Sequence, residues 1–449
     1  MSRHLIAGDL GLWAGGTLAT NQDLAGLFVA RCIELYLRPG GSFGFVMPWA
    51  VLPADGDSDA GTHVGFRAGN YASPGGPVKV DFRQAWDLHK IKKPFFPLPP
   101  CVVFGRRQHG QQGALPMSRS YSEWAGHFDT ECATWAEAEP HISTYTVEAA
   151  PARGGGPSPY SSAFTQGANI VPYFLFNITL QESGALGTAE GKVAIRSRRS
   201  SNERAPWKYL PPLHGSVEKR FIRQVYTGAA VMPFRCLPPI VQAVIPLNER
   251  GLVANDPELL EGFPGLASWW RQAERVWVAH RNGEGLSLIE QLDFRGKLSR
   301  QLPVAGHRVV YGGSVMYMAA AIAADPDAVI EHQLYWGLTE SLEEARFIVA
   351  ILNSDITTMA VRRMQRRGEH NPRHVGKKVF SLPIPLYDPD DAAHVQLTAL
   401  AEHAQNIVDA TRLPDTRFEM QRKHIRGVLE REGVTTDINA IVKALLDAR

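Results

Sequence analysis

The chain has 449 residues and a mass of 49.4 kDa, with 44% hydrophobic, 20% charged and 9% aromatic residues. These values exclude disorder, collagen and coiled coil as the main architecture, and the length predicts roughly two to four domains. No apolar run reaches the ~18 residues that span a bilayer, and Asp9 interrupts the apolar N-terminal stretch, which argues against a signal peptide. We expect a cytoplasmic protein without a disulfide scaffold or zinc ribbon, because no CxxC pair links its four cysteines, Cys32, Cys101, Cys132 and Cys236.

The net charge is only +2, but positive charge is concentrated in two segments. The first basic segment, residues 192–224, holds nine lysines and arginines against two glutamates. The second basic segment, residues 346–378, holds eight against one aspartate and one glutamate. Such concentration favours a polyanionic partner, and the alternative is a pair of solvated faces.

Residues 1–150 predict the later elements of an α/β sheet. An amphipathic helix over 21–38 is stopped by Pro39-Gly40-Gly41, and SFGFVMP (42–48) has the character of a buried strand. Helix followed by buried strand is half of a parallel-sheet unit. A short helix at His63–Tyr71 and strands at 78–82, 85–91 and 101–107 follow. A doubly wound domain opens with a strand and a glycine-rich turn, and neither precedes the helix over 21–38 in this sequence.

PARGGGPSPYSS (151–162) predicts a linker. Residues 163–391 predict a mixed α+β domain, with helices at Ala267–Trp277 and Leu342–Asn353 and strands in IVPYFLFNI, KVAIRS, IVQAVIPL and HRVVYGG. Trp269, Trp270 and Trp277 are expected in its core. Residues 392–449 predict a helical tail, with helices at Ala392–Ala410 and Arg417–Glu432.

Motifs for catalysis and metal binding are largely missing from the sequence. It contains no GxGxxG after a strand, no GxxxxGK[ST], HExxH or GxSxG and no EF-hand loop. His370 and His374 have metal-ligand spacing, but Pro372 separates them and the flanking arginines favour phosphate. Glu190-Gly191-Lys192 lacks the upstream aspartate that a nuclease metal site needs. The sequence therefore predicts no catalytic residue and no metal site in this chain.

Two stretches resemble DNA adenine-N6 methyltransferases of the restriction–modification type. LFVARCIELYLRPGGSFGFVMPWAVL (27–52), WDLHKI and PFFPLPPCVVFGRR are similar to the rear half of their catalytic domain. Later segments together resemble the target-recognition domain of these enzymes. They are YLPPLHGSVEKRFIRQVYTG, HRVVYGGSVMYMAAA, SLEEARFIVAILNSD, RRGEHNPRHVGKKVFSLPIPLYD and the helix after them. The order LNS, RG…RH and LPIP is also similar to specificity subunits of multi-subunit systems.

The resemblance implies a partial Rossmann-like methyltransferase sheet over 1–150, a target-recognition domain over 163–391 and a helical tail. The family's glycine-rich turn for S-adenosylmethionine and its catalytic Pro-Pro-aromatic tetrapeptide are both absent. We therefore expect S-adenosylmethionine and the tetrapeptide to come from missing upstream sequence or from a protein partner carrying the front half. The chain would be a DNA-binding component, inactive alone, in phage defence. One alternative is a non-catalytic DNA specificity subunit, and another is a component of an enzyme that modifies RNA or another nucleic acid.

The resemblance also implies roles for individual residues. Phe95 or Phe96 in PFFP matches the aromatic position that stacks on a flipped base, and Pro48 and Trp49 would face the same cleft; core packing is the alternative for each aromatic. Residues expected to contact double-stranded DNA are Arg196, Arg198, Arg199, Lys208, Arg362, Arg363, Arg366, Arg367, Arg373 and His374. The alternatives are a solvated helix face for the second basic segment, and protection of an exposed strand edge for Arg196, Arg198 and Arg199.

Overall fold

A computed structural model of the chain divides into two compact units. Unit 1 comprises residues 1–156 and 362–373, and unit 2 comprises residues 157–361 and 374–449. The division at 156/157 lies within the proline- and glycine-rich stretch 151–162. The structure describes residues 24–53, 64–71, 77–92, 99–109, 113–128, 134–149, 158–182, 189–201, 203–249, 251–281, 283, 285–364 and 374–447.

Unit 1 begins, in its described part, with helix α1 (Leu24–Tyr36), as the periodicity predicts. The last carbonyls of a helix lack intrahelical partners. At the end of α1 the guanidinium of Arg107 is such a partner. Its Nη1 donates to the carbonyl oxygens of Ile33 (3.2 Å) and Glu34 (2.9 Å). A residue far along the chain therefore completes the end of the first helix.

The sheet of unit 1 is mostly antiparallel. The middle strand is β5 (Pro100–Arg107), and on one side it pairs along its length with β1 (Ser42–Pro48). On its other side it pairs with β3 (Val78–Phe82) and β4 (Trp86–Lys92). Only β4 and β6 pair in parallel among the described strands of this sheet. The elements are β1 (Ser42–Pro48), α2 (Val64–Arg67), β2 (Asn70–Tyr71), β3 (Val78–Phe82), β4 (Trp86–Lys92), the middle strand β5 (Pro100–Arg107), β6 (Ser120–His127), α3 (Trp135–Ala138) and β7 (Ile142–Glu148).

The structure confirms the four strands predicted in unit 1. The described partner of β1 is β5, in antiparallel register. The predicted helix at His63–Tyr71 is shorter than expected, because Gly69 has a φ of 69° and ends it before β2. Strands β6 and β7 were not predicted.

The first sheet of unit 2 has the strand order β11-β10-β9-β15-β12-β20. Neighbours are antiparallel except β12 and β20. Two two-stranded ribbons, β13–β14 and β16–β17, accompany it. The strands are β9 (Asn177–Leu180), β10 (Lys192–Ser197), β11 (His214–Glu218), β12 (Ile222–Tyr226), β13 (Val231–Met232), β14 (Arg235–Cys236), β15 (Val241–Val244), β16 (Leu247–Asn248), β17 (Gly251–Leu252) and β20 (Val329–Ile330).

Helix α6 packs against this first sheet. Trp269 and Trp270 are 1% and 3% exposed, as predicted for core residues, and the Trp269 Nε1 donates to the Leu175 carbonyl oxygen at 3.2 Å. Trp277 is only partly buried. IVPYFLFNI is not one strand, because its centre forms a helical turn before β9. The helices of this region are α4 (Tyr173–Phe176), α5 (Pro257–Glu261), α6 (Pro264–His280) and α7 (Leu288–Leu292).

The second sheet of unit 2 has the order β19-β18-β21-β8, with all neighbours antiparallel. Helix α8 packs on β18, β19 and β21, and α10 packs on α8. The elements are β8 (Thr165–Gln166), β18 (His307–Gly312), β19 (Ala320–Ala323), β21 (Leu334–Thr339), α8 (Leu342–Asn353), α9 (Asp355–Met364), α10 (Ala392–Ala410), α11 (Phe418–Arg431) and α12 (Val434–Asp447). Among the described residues, no helix is long and apolar enough to cross a membrane.

Candidate nucleic-acid interface

Unit 2 contains an open cavity of about 490 Å³ whose wall is strongly basic. Its residues come from β8, from the turns after α7, from β21 and from the segment 374–378. Five lysines and arginines contribute, and no aspartate or glutamate does. These five residues, here called the cation wall, are Arg295, Lys297, Arg300, Lys377 and Lys378.

Local contacts hold the first three members of the cation wall in place. The Asp293 carboxylate accepts hydrogen bonds from the backbone nitrogens of Leu298 and Ser299, both at 2.8 Å, which fixes the turn. Arg295 has a φ of 60°, a left-handed conformation that is unfavourable for residues other than glycine. Arg300 Nη2 donates to the Arg295 carbonyl oxygen at 2.6 Å. Strain of this kind persists where the surrounding structure imposes it and is concentrated at functional sites.

Two lysines of the wall, Lys297 and Lys377, are held by neutral acceptors. Lys297 Nζ donates to Gln166 Oε1 at 2.7 Å, and Lys377 Nζ donates to the Ser161 carbonyl oxygen at 2.8 Å. Within the part of the chain that the structure describes, Arg295, Lys297, Arg300 and Lys377 form no ion pair. These four side chains therefore carry positive charge that their described contacts leave uncompensated.

Burial and, to a smaller extent, neighbouring positive charge lower two pKa values in and beside the cavity. Burial, followed by the charge of Arg295, lowers the pKa of Lys297. Burial and the charge of Lys297 also lower the pKa of His332, which lies nearby. An anion in the cavity would relieve this repulsion, and phosphate groups are the anions that arginine and lysine bind most readily in nucleic acids.

The segment 374–378 is attached to the end of β18. The nitrogens of Val375 and Gly376 donate to the Gly313 carbonyl oxygen at 2.9 and 3.2 Å, and the Tyr311 hydroxyl donates to the Gly376 carbonyl oxygen at 2.9 Å. His374 forms an antiparallel bridge with Ser314. Of the described residues predicted to contact DNA, only His374 lines the cavity.

The predicted contacts of the first basic segment lie elsewhere in unit 2. Arg196 is exposed on β10, between Thr179 of β9 and His214 of β11, so it does not lie on a strand edge and the edge-protection alternative is wrong for this residue. Arg198 and Lys208 are also exposed.

The Arg199 guanidinium is engaged within the protein. It donates to the carbonyl oxygens of Trp207 and Leu210 and lies 5.0 Å from the Phe174 ring centroid. These contacts attach the turn that precedes β11 to the core of unit 2. Arg199 therefore differs from Arg196 and Arg198, whose side chains are open to solvent.

The second basic segment is described only in part. Arg362 and Arg363 lie on α9, and Arg362 is half-buried. The predicted sites Phe95, Phe96, Arg366, Arg367 and Arg373 lie outside the described residues.

Trp49 belongs to a buried polar cluster in unit 1, while Pro48 is exposed at the end of β1. The Trp49 Nε1 donates to Asp87 Oδ2 at 2.7 Å, and the His89 Nδ1 lies 2.7 Å from Asp87 Oδ1. Lys90 Nζ donates to Glu123 Oε1 at 2.6 Å. Trp49 therefore packs in the interior of unit 1, as the core-packing alternative predicts.

Asp87, His89 and Glu123 each place one donor atom within 4.8 Å of the others, a spacing that could hold a metal ion. Asp87 and Glu123 are also register partners on the parallel strands β4 and β6. Asp87 accepts hydrogen bonds from Trp49 and His89, and Glu123 accepts one from Lys90, so the cluster forms a hydrogen-bond network, and the Lys90–Glu123 bond joins the two strands.

Three members of the cation wall were missed from the sequence. Residues 294–300, FRGKLSR, place Arg295, Lys297 and Arg300 within six positions but outside both basic segments. A shorter charge window would have found them. Lys377 and Lys378 belong to the second basic segment, but nothing local indicated that they would meet the other three.

No protein family and no curated protein matches this sequence. Among solved structures, the chain is similar to the type IIL restriction–modification enzyme MmeI in complex with DNA, with a TM-score of 0.53, 8% identity, and coverage of 98% of this chain and 52% of that one. It also matches the type IIG restriction endonuclease BpuSI with a TM-score of 0.29, 11% identity, and coverage of 99% and 51%. The chain spans about half the length of these structures. The likeness to MmeI shows a shared fold.

Proposed function

We propose that this chain is a DNA-binding component of a restriction–modification system. The observation that carries the proposal is the cation wall, in which five cationic side chains surround one open cavity without a carboxylate. Neutralising the charges of Arg295, Lys297, Arg300 and Lys377 inside the protein would require acidic partners, and no aspartate or glutamate lies among the described lining residues. A phosphate backbone supplies that charge from outside, and release of its counterions drives binding.

The shared fold supports the same proposal. MmeI is described as a restriction–modification enzyme in complex with DNA. By analogy we propose that unit 2 contacts double-stranded DNA and contributes to sequence recognition, with Arg196, Arg198 and Lys208 as further exposed cations on the first sheet. Contacts to phosphates set the position of a protein on DNA, while contacts to base edges carry sequence information.

We further propose that the modified base is adenine, that the system acts in phage defence, and that one of Phe95 and Phe96 stacks on the flipped base. S-adenosylmethionine would supply the methyl group. This sequence has neither the family's glycine-rich turn nor its catalytic tetrapeptide, so the residues present do not form the cofactor site. We therefore assign the cofactor either to sequence upstream of this chain or to a protein partner that carries the front half of the methyltransferase domain.

The test is the salt dependence of duplex binding, measured by fluorescence anisotropy. Wild-type protein should bind a labelled duplex with an affinity that falls steeply as salt rises. The variant R295A/K297A/R300A should bind more weakly, and the slope of log affinity against log salt should flatten by about two to three units, since each lost phosphate contact removes about 0.9.

The matched control is R275A/R412A/R431A, which removes the same charge from exposed positions that do not line the cavity. This control should keep the wild-type slope to within about one unit. Equal flattening by both variants would show that binding follows net charge alone. A wild-type chain that does not bind duplex DNA would refute the proposed function.

A further inference from the structure

The turn after α7, residues 293–301, carries three of the five members of the cation wall. Its backbone is held from inside the protein by the side chain of Gln301, which is 1% exposed. The Gln301 amide nitrogen donates to the carbonyl oxygens of Lys297 and Ile330, both at 2.9 Å, and its amide oxygen accepts from the Ile330 nitrogen at 2.7 Å. Because Ile330 lies in β20, these bonds fix the turn to the first sheet of unit 2.

A single aromatic ring supports two of the cations on this turn. The Arg295 guanidinium carbon lies 5.1 Å and the Lys297 Nζ lies 5.8 Å from the ring centroid of Phe294. Both distances fall within the ~6 Å over which a cation is attracted to an aromatic face. The two cations repel each other, since the charge of Arg295 adds to burial in lowering the pKa of Lys297. The Phe294 ring therefore keeps together two side chains whose charges favour separation.

Cations that are already held in place bind an anion with a smaller loss of entropy. A free lysine or arginine side chain loses rotamer freedom when a ligand fixes it, and this loss weakens binding. Lys297 is restrained a second time, because its Nζ also donates to Gln166 Oε1 at 2.7 Å. The left-handed backbone of Arg295, with a φ of 60°, fixes the direction in which its side chain leaves the turn. The turn therefore presents its charges to the basic cavity before a ligand binds.

We propose that Phe294 is a positioning residue for DNA binding, whose ring holds Arg295 and Lys297 so that both reach phosphate groups of the DNA backbone. The inference rests on the proposed function and names the residue that makes this part of the cation wall effective. Phe294 carries no charge and is not among the residues that line the basic cavity. Its loss leaves the net charge unchanged but releases the two cations, which separates positioning from electrostatic attraction.

The experiment measures binding of a labelled duplex by Phe294→Leu and by wild-type protein, using fluorescence anisotropy over a range of salt concentrations. Phe294→Leu should lower the affinity roughly threefold to tenfold, the contribution of one or two cation–ring contacts. The slope of log affinity against log salt should flatten by about one to two units although every charge is retained, since each phosphate contact contributes about 0.9.

Two further substitutions at this position separate the ring from the space that it fills. Phe294→Met fills a similar volume without a ring and should behave as Phe294→Leu does. Phe294→Tyr keeps the ring, and Phe294 borders a separate cavity of about 280 Å³ that leaves space for the added hydroxyl. This variant should therefore bind duplex DNA as wild-type protein does. Thermal unfolding of each variant checks that it is folded.

The matched control is Phe263→Leu. Phe263 is also half-buried, and its ring centroid lies 5.9 Å from the guanidinium carbon of the exposed Arg220, but neither residue lines the basic cavity. The control therefore removes a ring of the same kind, next to a cation, from another part of unit 2. It should keep the wild-type affinity for duplex DNA and the wild-type salt slope.

A double-mutant comparison distinguishes positioning from a general effect of the ring on folding. In a protein that already carries R295A/K297A, adding Phe294→Leu should cause no further loss of affinity, because the ring then has no cation to position. A further loss as large as in the wild-type background would overturn the proposal. Wild-type affinity and slope in Phe294→Leu, or equal losses in Phe294→Leu and Phe263→Leu, would also overturn it while the proposed function stands. Absence of duplex binding by wild-type protein would refute the proposed function itself.

Discussion

Replacing Glu331 by glutamine should stabilise unit 2 at neutral and alkaline pH, and progressively less as the pH falls. Glu331 is 3% exposed, and burial raises the pKa of its carboxyl to about 7, although hydrogen bonds from the Gly228 backbone and the Tyr173 hydroxyl oppose the shift. The ionised form is therefore disfavoured in the folded state. The ordinary pKa of a glutamate carboxyl, which applies in the unfolded chain, is 4.5.

The direction of the pH dependence follows from proton binding by Glu331 in the folded and unfolded states. Below a pH of about 4.5 the carboxyl is protonated in both, and it contributes no pH-dependent difference. Between about 4.5 and 7 the unfolded chain ionises first, so the folded state loses stability as the pH rises. Above 7 the loss is complete, and 2.5 pKa units correspond to about 3 kcal/mol.

The assay is urea unfolding of wild-type protein and Glu331→Gln in parallel at about pH 5, 6, 7 and 8. The difference in unfolding free energy between the two proteins should grow in favour of the variant by about 2.5 kcal/mol over this range, because part of the effect is already present at pH 5. Other titrating groups cancel in the comparison, and any hydrogen bond lost to the amide adds a constant at every pH. A difference that stays constant from pH 5 to pH 8 would refute the assigned environment of Glu331.

The other predictions concern unit 1 and the cofactor. Asp87→Asn should destabilise unit 1 by about 1–3 kcal/mol, because one of the donors from Trp49 and His89 loses its acceptor in the interior. The control Glu148→Gln, at an exposed position of the same sheet, should change stability by less than about 0.5 kcal/mol, and equal effects in urea unfolding would contradict the buried network. The isolated chain should show no micromolar binding of S-adenosylmethionine in calorimetric titration, since it lacks the glycine-rich turn, and a micromolar site would show that the cofactor is bound here.

Local sequence determined the regular elements of this protein. Helices Leu342–Asn353 and Ala392–Ala410 have the predicted bounds, because apolar periodicity coincides with N-cap side chains at Ser341 and Asp391. β3 could be predicted because its buried and half-buried side chains alternate. The strand predicted over IVPYFLFNI is wrong. All four side chains of its helical turn, Tyr173–Phe176, are buried, so the sequence shows neither a helical nor a strand period.

The tertiary structure decided which cations act together. Arg196 and Arg199 come from one basic stretch, yet only Arg199 meets backbone carbonyls that engage its guanidinium. The residues 295–300 and 377–378 are far apart in sequence, and they meet because β8, β21 and the end of β18 bring their segments to one cavity. Charge along a chain sets the partner that a protein can attract, but long-range strand pairing sets where that charge is gathered. Propensity and periodicity act over a few residues, so the sequence determined the elements and only the fold determined the site.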